Sequence, residues 1–269
     1  TQFSTTTKLK GQASFIVGAP KASSNVSAAS KNYNENWGGT VFNYDLRLFL
    51  DTSFTGKDLL RTMLRAGNFD QSVFGGAGEV GGNTVRGILP IVSTGLTALE
   101  TAFQEPSGAN SIAVNRLWYQ FPIGNNFTAT VGGLVRQDDM LAVWPSFYPA
   151  DTILDFFTYA GAPGTYNLAL GPGAGLSWSD NGWSISANYI SANGNVSNPN
   201  RTNTNNFTGY DWLENTNVLG QDVDENCGGI ATNCSASSGT VQLAYTADQW
   251  GIAAAYNYAS GDNGMSLSL

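Results

Sequence analysis

The segment that most restricts how this chain can fold is residues 40–68, which read TVFNYDLRLFLDTS, then a tight SFTGKD reversal, then LLRTMLRAGN. In the first arm Phe42, Tyr44, Leu46, Leu48 and Leu50 share one face, and Asn43, Asp45, Arg47 and Asp51 share the other. In the second arm Leu60, Thr62, Leu64 and Ala66 oppose Arg61, Met63 and Arg65. A period of two in both arms predicts a β-hairpin with an oily side and a charged side. A soluble antiparallel sheet also alternates, with its polar side in bulk water. Here, however, the ionised groups at 45, 47, 51, 61 and 65 crowd one surface, which suits the wall of a water-filled lumen.

The same polarity recurs along the chain. Residues 7–17 place Leu9, Ala13, Phe15 and Val17 against Lys8, Lys10, Gln12 and Ser14. Residues 112–121 and 127–136, joined by PIGNN, set Leu117, Tyr119 and Phe121 against Arg116, Trp118 and Gln120. They then set Phe127, Ala129, Val131 and Val135 against Thr128, Thr130 and Arg136. A hairpin over 173–192 turns at SDNG, and a last one pairs 240–247 with 250–258, giving nine strands. The short reversals at 53–57, 122–126, 179–182 and 248–249 interleave with long connections at 18–39, 69–110, 137–172 and 193–239. Such asymmetry is the habit of outer-membrane barrels, with tight turns on one side and long loops on the other. Phe54, Phe121, Phe127, Trp178, Trp183 and Trp250 gather at the short-turn ends, where an interfacial aromatic girdle belongs.

Composition removes several functions. The chain has no histidine, so Ser-His-Asp and Cys-His catalysis and most zinc sites are excluded, and no catalytic residue is expected. A net charge of -8 argues against nucleic acid as a partner. No apolar run reaches the length of a membrane helix, while membrane strands of about 9 to 11 alternating residues leave no such run. No cofactor or metal is expected. Asp222, Asp224 and Asn226 only faintly suggest the start of a calcium loop, and solvated loop charge is the simpler reading. Cys227 and Cys234, in CGGIATNC, are placed to close a disulfide; free thiols or half a metal site are the alternatives. TQFSTTTKLK lacks an apolar core segment, so the sequence reads as mature or trimmed protein.

The connections carry their own expectations. Residues 18–39 have loop composition. In 69–110 a glycine tract precedes Leu89, Val92, Leu96, Leu99 and Phe103, whose spacing predicts a short amphipathic helix lying on the barrel rim, on a neighbouring subunit or on its own loop. An open sheet in hydrocarbon leaves backbone groups unpaired, so the strands must close. Nine is odd for a bacterial barrel and the sequence ends in ASGDNGMSLSL, which predicts that 1–269 is one barrel domain from which later strands are missing.

The segments TQFSTTTKLKGQASF, LRLFLDTSFTGKDLLRTMLRAGNF and NRLWYQFPIGNNFTATVGG resemble the start of the barrel in cyanobacterial major outer-membrane porins. That family is related to OprB-like carbohydrate-selective porins and is often labelled as iron-uptake porins. The resemblance implies an all-β, sixteen-stranded transmembrane antiparallel β-barrel in the outer membrane. It also implies a homotrimer in lipid that conducts passively, with an upstream SLH domain binding peptidoglycan.

The expected function is therefore a porin passing small hydrophilic solutes and inorganic ions. Arg47, Arg61, Arg65, Arg116, Arg136 and Asp45 are assigned to the lumen wall. The connection 137–172 is expected to fold inward as a constriction, its Asp138, Asp139, Asp151 and Asp155 facing the arginines across the channel. Alternatively, some arginines brace the wall by pairing with Asp45 or Asp51. From a different class, a soluble or surface-displayed β-sandwich could bind glycans through exposed Trp and Asn.

Overall fold

The structure is a computed structural model, which describes residues 6–69, 72–75, 97, 99–103, 110–148, 154–199, 216–217, 221–222 and 228–260. The protein is all-β. Nine strands form one antiparallel sheet in which every neighbour in space is the next long strand in sequence. They are β1 (Thr7–Gly18), β2 (Val41–Thr52), β3 (Leu59–Gly67), β4 (Ala113–Ile123), β5 (Phe127–Arg136), β6 (Leu170–Asp180), β7 (Trp183–Ser191), β10 (Ser237–Thr246) and β11 (Gly251–Ala259). A two-stranded ribbon of β8 (Thr216–Asn217) and β9 (Gln221–Asp222) lies in the connection after β7. Among the described residues β1 pairs only with β2 and β11 only with β10, so both are edges. No second sheet packs face to face on this one among the described residues.

The alternation is inverted relative to a water-soluble sheet. Along β2 the polar Asn43, Asp45, Arg47 and Asp51 are buried while Phe42 is 67% exposed; in β1, Phe15 and Val17 are each 69% exposed. Val241, Leu243, Ile252 and Tyr256 continue this exposed apolar face across β10 and β11, opposite buried Thr240 and Gln242. Among the described residues one face of the sheet is therefore apolar and exposed, and the other is polar and, from β2 to β10, largely buried.

Three features depart from strict alternation. The connection 18–39 contains an eleven-residue helix, α1 (Ser27–Trp37), where loop was expected. None of its residues is buried, so no apolar stripe betrays it. It is held instead by a Lys31–Glu35 pair at 3.7 Å and by Asn34, which accepts from Ala22 N at 2.8 Å and donates to Ala22 O at 2.9 Å. Second, Val135 lies on the covered face, fully buried, and not with Phe127 and Val131. A register shift between Gly132 and Val135 reverses the parity of the strand's last residues. Third, of the helix expected over 89–103, only a terminal turn, α2 (Glu100–Phe103), falls among the described residues.

Small residues let a connection settle on the covered face. Gly171, Gly173 and Gly175 of β6 leave that face bare: a Cβ on Gly175 would lie 2.8 Å from Met140 Cβ. Into this gap Met140 packs with Trp118, Val135 and Ile190, forming the sheet's small apolar core.

Candidate functional site

The polar face carries its charge in rows set by strand register. Lys8 opposes Asp51, Asp51 opposes Arg61, and Arg61 opposes Trp118. The next row toward the long loops is Lys10, Phe49, Met63 and Arg116, and the next contains Gln12, Arg47 and Arg65. Strand register thus brings arginines from β2, β3 and β4 into one patch, joined at its edge by Arg136 from the end of β5. The result is a small pocket of ≈ 70 Å³ lined by Arg47, Arg61, Arg65, Arg116, Arg136, Asp138 and Asp139, among others.

Each arginine in this pocket is engaged by an acid. Arg47 Nε donates to Asp45 Oδ2 at 2.8 Å, and Arg65 Nε to Asp45 Oδ1 at 2.6 Å. Asp45 is completely buried between the two. Arg65 Nη2 also donates to the carbonyls of Glu100 and Thr101, so α2 is drawn down onto the sheet. Arg136 bonds Glu100 Oε1 at 3.1 Å, tying that same turn to the end of β5. Arg61 makes a bidentate pair with Asp51, at 2.8 and 3.0 Å, and Lys10 joins Asp51 at 3.1 Å. The Arg61 guanidinium also lies 5.4 Å from the Phe49 ring centroid and 5.3 Å from that of Trp118, which fixes its plane.

The acids of the 137–172 connection are placed differently from the sequence expectation. Asp138 and Asp139 sit on the same wall as the arginines and not across a lumen from them. A 3₁₀ turn (Gln137–Met140) winds the chain back over β5, β6 and β7 as soon as β5 ends. Asp139 Oδ2 accepts from Arg116 Nε at 3.0 Å and from the Arg136 backbone N at 3.0 Å, while Asp138 Oδ2 accepts from Arg136 Nη2 at 2.6 Å. Burial, and then the neighbouring Asp138 carboxylate, push the Asp139 carboxyl above its ordinary range against the pull of both arginines. Asp151 lies outside the described residues. Asp155 opens a second 3₁₀ turn (Asp155–Tyr159), with its side chain outside the description. Cys234 is buried and disulfide-bonded; Cys227, Asp224 and Asn226 lie outside the described residues.

The other half of the polar face is neutral. Gln137 donates through Nε2 to Thr165 O at 2.8 Å and to Thr240 Oγ1. Tyr166 OH donates to Gln242 Oε1 at 2.6 Å, and Gln242 Nε2 donates to Val143 O at 2.8 Å. Asn167 Nδ2 reaches Ser238 Oγ at 2.9 Å, and Ser186 Oγ receives the Ala142 N–H at 2.9 Å. The connection after β5 is therefore clamped at its start by ions and along its length by amides and hydroxyls. A bridge between Leu99 and Leu154 joins it to the connection after β3.

Glu100 and Phe49 belong to this site, although their sequence context did not assign them to it; Met63 joins them from the charged face on which its alternation put it. Phe49 had a visible signal, since it sits at the odd position of an otherwise polar face. Glu100 had none, because nothing in a loop's sequence states which strand it will meet.

At the opposite, short-turn end, Asp58 organises the SFTGKD reversal. It accepts from Thr55 Oγ1 at 2.6 Å, Thr55 N at 2.7 Å, Ser53 Oγ at 2.9 Å and Tyr119 OH at 2.8 Å. These donors, the Thr55 hydroxyl first, hold its carboxyl far below the usual range. An aromatic belt runs along this end. The Phe54 ring lies 6.3 Å from Tyr119, which stacks 5.5 Å from Phe121; Phe127 opposes Trp178; Trp183, Tyr245 and Trp250 follow at 4.9 and 5.4 Å.

Fold and site together define a single antiparallel meander whose apolar face is bare and whose ionic face is roofed by its own loops. No protein-family profile matches the chain. It is 29% identical over 184 residues to an uncharacterized protein of Synechocystis sp., covering 66% of this chain and 28% of that protein. It is 34% identical over 134 residues to an uncharacterized protein of Nostoc sp., covering 46% of this chain and 18% of that one. The chain thus matches less than a third of the length of these relatives. Among solved structures it is similar to two engineered variants of Rh. blastica porin, at 14% and 13% identity. Each match covers 95% of this chain and 65% of that one, with a TM-score of 0.40.

Proposed function

We propose that this sheet is part of the wall of an outer-membrane β-barrel that conducts small hydrophilic solutes and inorganic ions by passive diffusion. The observation that carries the reading is the inverted polarity of the sheet. An exposed apolar face that runs across the sheet from β1 to β11 is unfavourable in water, and a hydrocarbon surround makes it favourable. Strands of 9 to 12 residues match the length needed to cross a bilayer at a tilt. The aromatic belt at the short-turn end fits one interface, and the long connections on the opposite side fit an outer surface. No helix among the described residues is long and apolar enough to cross a membrane; the crossing elements proposed here are strands.

In the bilayer every strand edge needs a partner, so the proposal requires β1 and β11 to be paired by further strands of the whole protein. A homotrimer anchored to peptidoglycan is the assembly that the family resemblance suggests for that longer protein, and chemical cross-linking in membranes tests it. Passage of sugars or iron is a separate property, read by liposome swelling or metal uptake. The decisive experiment is single-channel recording of the purified protein in a planar bilayer. Discrete conductance steps are expected; a protein that stays monodisperse without detergent and gives no steps would contradict the reading.

A further inference from the structure

We propose that the channel wall selects for small hydrophilic anions, and that the Lys10–Asp51–Arg61 triad is its selecting unit. The inference rests on the channel reading above and names the solute class for it. The chain's net charge of -8 would by itself point to cations. Charge buried in the wall and neutralised there, however, has little influence on a passing ion compared with charge presented to water.

The side chains of Arg65, Arg47, Arg136 and Arg116 are only 1%, 3%, 3% and 5% exposed, and each is bonded to Asp45, Glu100, Asp138 or Asp139. Those arginines brace the roof. The triad differs. Lys10 is 63% exposed and Arg61 28%, while the one carboxylate they share, Asp51, is 9% exposed. Two accessible cations on one recessed anion leave a net positive unit on the wall. Lys8, opposite Asp51 in register and exposed on the same face of β1, adds to it. Asp138 and Asp139, at 15% and 16%, are the more accessible acids of the adjoining pocket, and both are engaged by arginine.

Position strengthens the case. The triad lies nearer the short-turn end of the sheet than the row of Arg47 and Arg65, and it is Arg65 that the carbonyls of α2 engage. The rings of Phe49 and Trp118 hold the Arg61 guanidinium in a fixed plane, so its charge is presented in one place. The wall thus places an ordered, partly buried cation beside a more exposed one, an arrangement that attracts small anions.

Reversal potentials across a bilayer with a KCl gradient test this on the whole protein. Chloride is expected to permeate better than potassium at about 0.1 M salt, with the preference fading toward 1 M as the screening length shortens from roughly 10 to 3 Å. Lys10→Gln and Arg61→Gln are each expected to lower the chloride-to-potassium ratio by about twofold, the scale of one screened unit charge. Asp51→Asn is expected to raise it. The Lys10 side chain is 63% exposed, so Lys10→Gln keeps the test decisive if Arg61→Gln fails to fold. A conducting wild type that prefers potassium, or a ratio unmoved by Lys10→Gln, would overturn the anion assignment while leaving the channel intact. A wild type that gives no conductance would overturn the channel reading, and this inference with it.

Discussion

The two halves of the covered face solve one problem with different chemistry. Across β1 to β5 the roof is held by guanidinium–carboxylate pairs; across β7, β10 and β11, strands without a single charged residue, it is held by Gln, Asn, Ser, Thr and Tyr. The charged half is the more demanding. Removing one partner leaves a buried ion exposed to its neighbours' like charge, whereas removing a hydroxyl leaves one unmet hydrogen bond. The charged half thus fixes where the loops enter, and the neutral half fixes how they lie.

The sharpest way to break this comparison is at Asp45. Asp45→Ala leaves Arg47 and Arg65 facing each other without their shared acid, and should cost about 3–5 kcal/mol, read as the urea midpoint of the folded protein in detergent. Gly175→Val forces a branched side chain into Met140 and should lift the roof at a cost of about 1–3 kcal/mol, measured the same way, with increased proteolysis near Met140. Tyr166→Phe removes only its bond to Gln242 and should cost about 0.5–1.5 kcal/mol. A loss from Tyr166→Phe as large as that from Asp45→Ala would erase the distinction between the halves.

Two loop carboxylates give the smallest effects, with opposite pH signs. The folded state lowers the pKa of Asp58, so its stabilisation is full above the unfolded value near 3.9 and is lost as pH falls from there through the folded value. The gap in melting temperature between wild type and Asp58→Asn should therefore be widest near neutrality and shrink in acid. For Asp139 the folded pKa is raised, so its ionised form is a burden near neutrality that is relieved as pH falls through the folded value. Asp139→Asn should accordingly be better tolerated, relative to wild type, at neutral pH than in acid, read as the gap in melting temperature.

Much of this was legible in the sequence, because alternation is a local property. The nine long strands, their short turns and the facing of Arg47, Arg61 and Arg65 all follow from a period of two and a count of loop lengths. The features that escaped depend on pairing partners or on deviations of one residue. A bulge after Gly132 moved Val135 to the other face, and α1 has no apolar stripe to announce it. Asp138 and Asp139 landed on the arginines' own wall because a single 3₁₀ turn reversed the chain, which residue type does not encode. The bare glycine track of β6 reads as flexibility in sequence and proves to be a seat for Met140.

The central claim is that the apolar face meets lipid and the ionic face meets water, and thiol accessibility in reconstituted membranes tests it most directly. Gln12→Cys lies on the ionic face of β1, and Leu243→Cys lies on the apolar face of β10. A membrane-impermeant thiol reagent should label Gln12→Cys readily and leave Leu243→Cys unlabelled until the bilayer is dissolved. Equal labelling of the two in intact membranes would contradict the account.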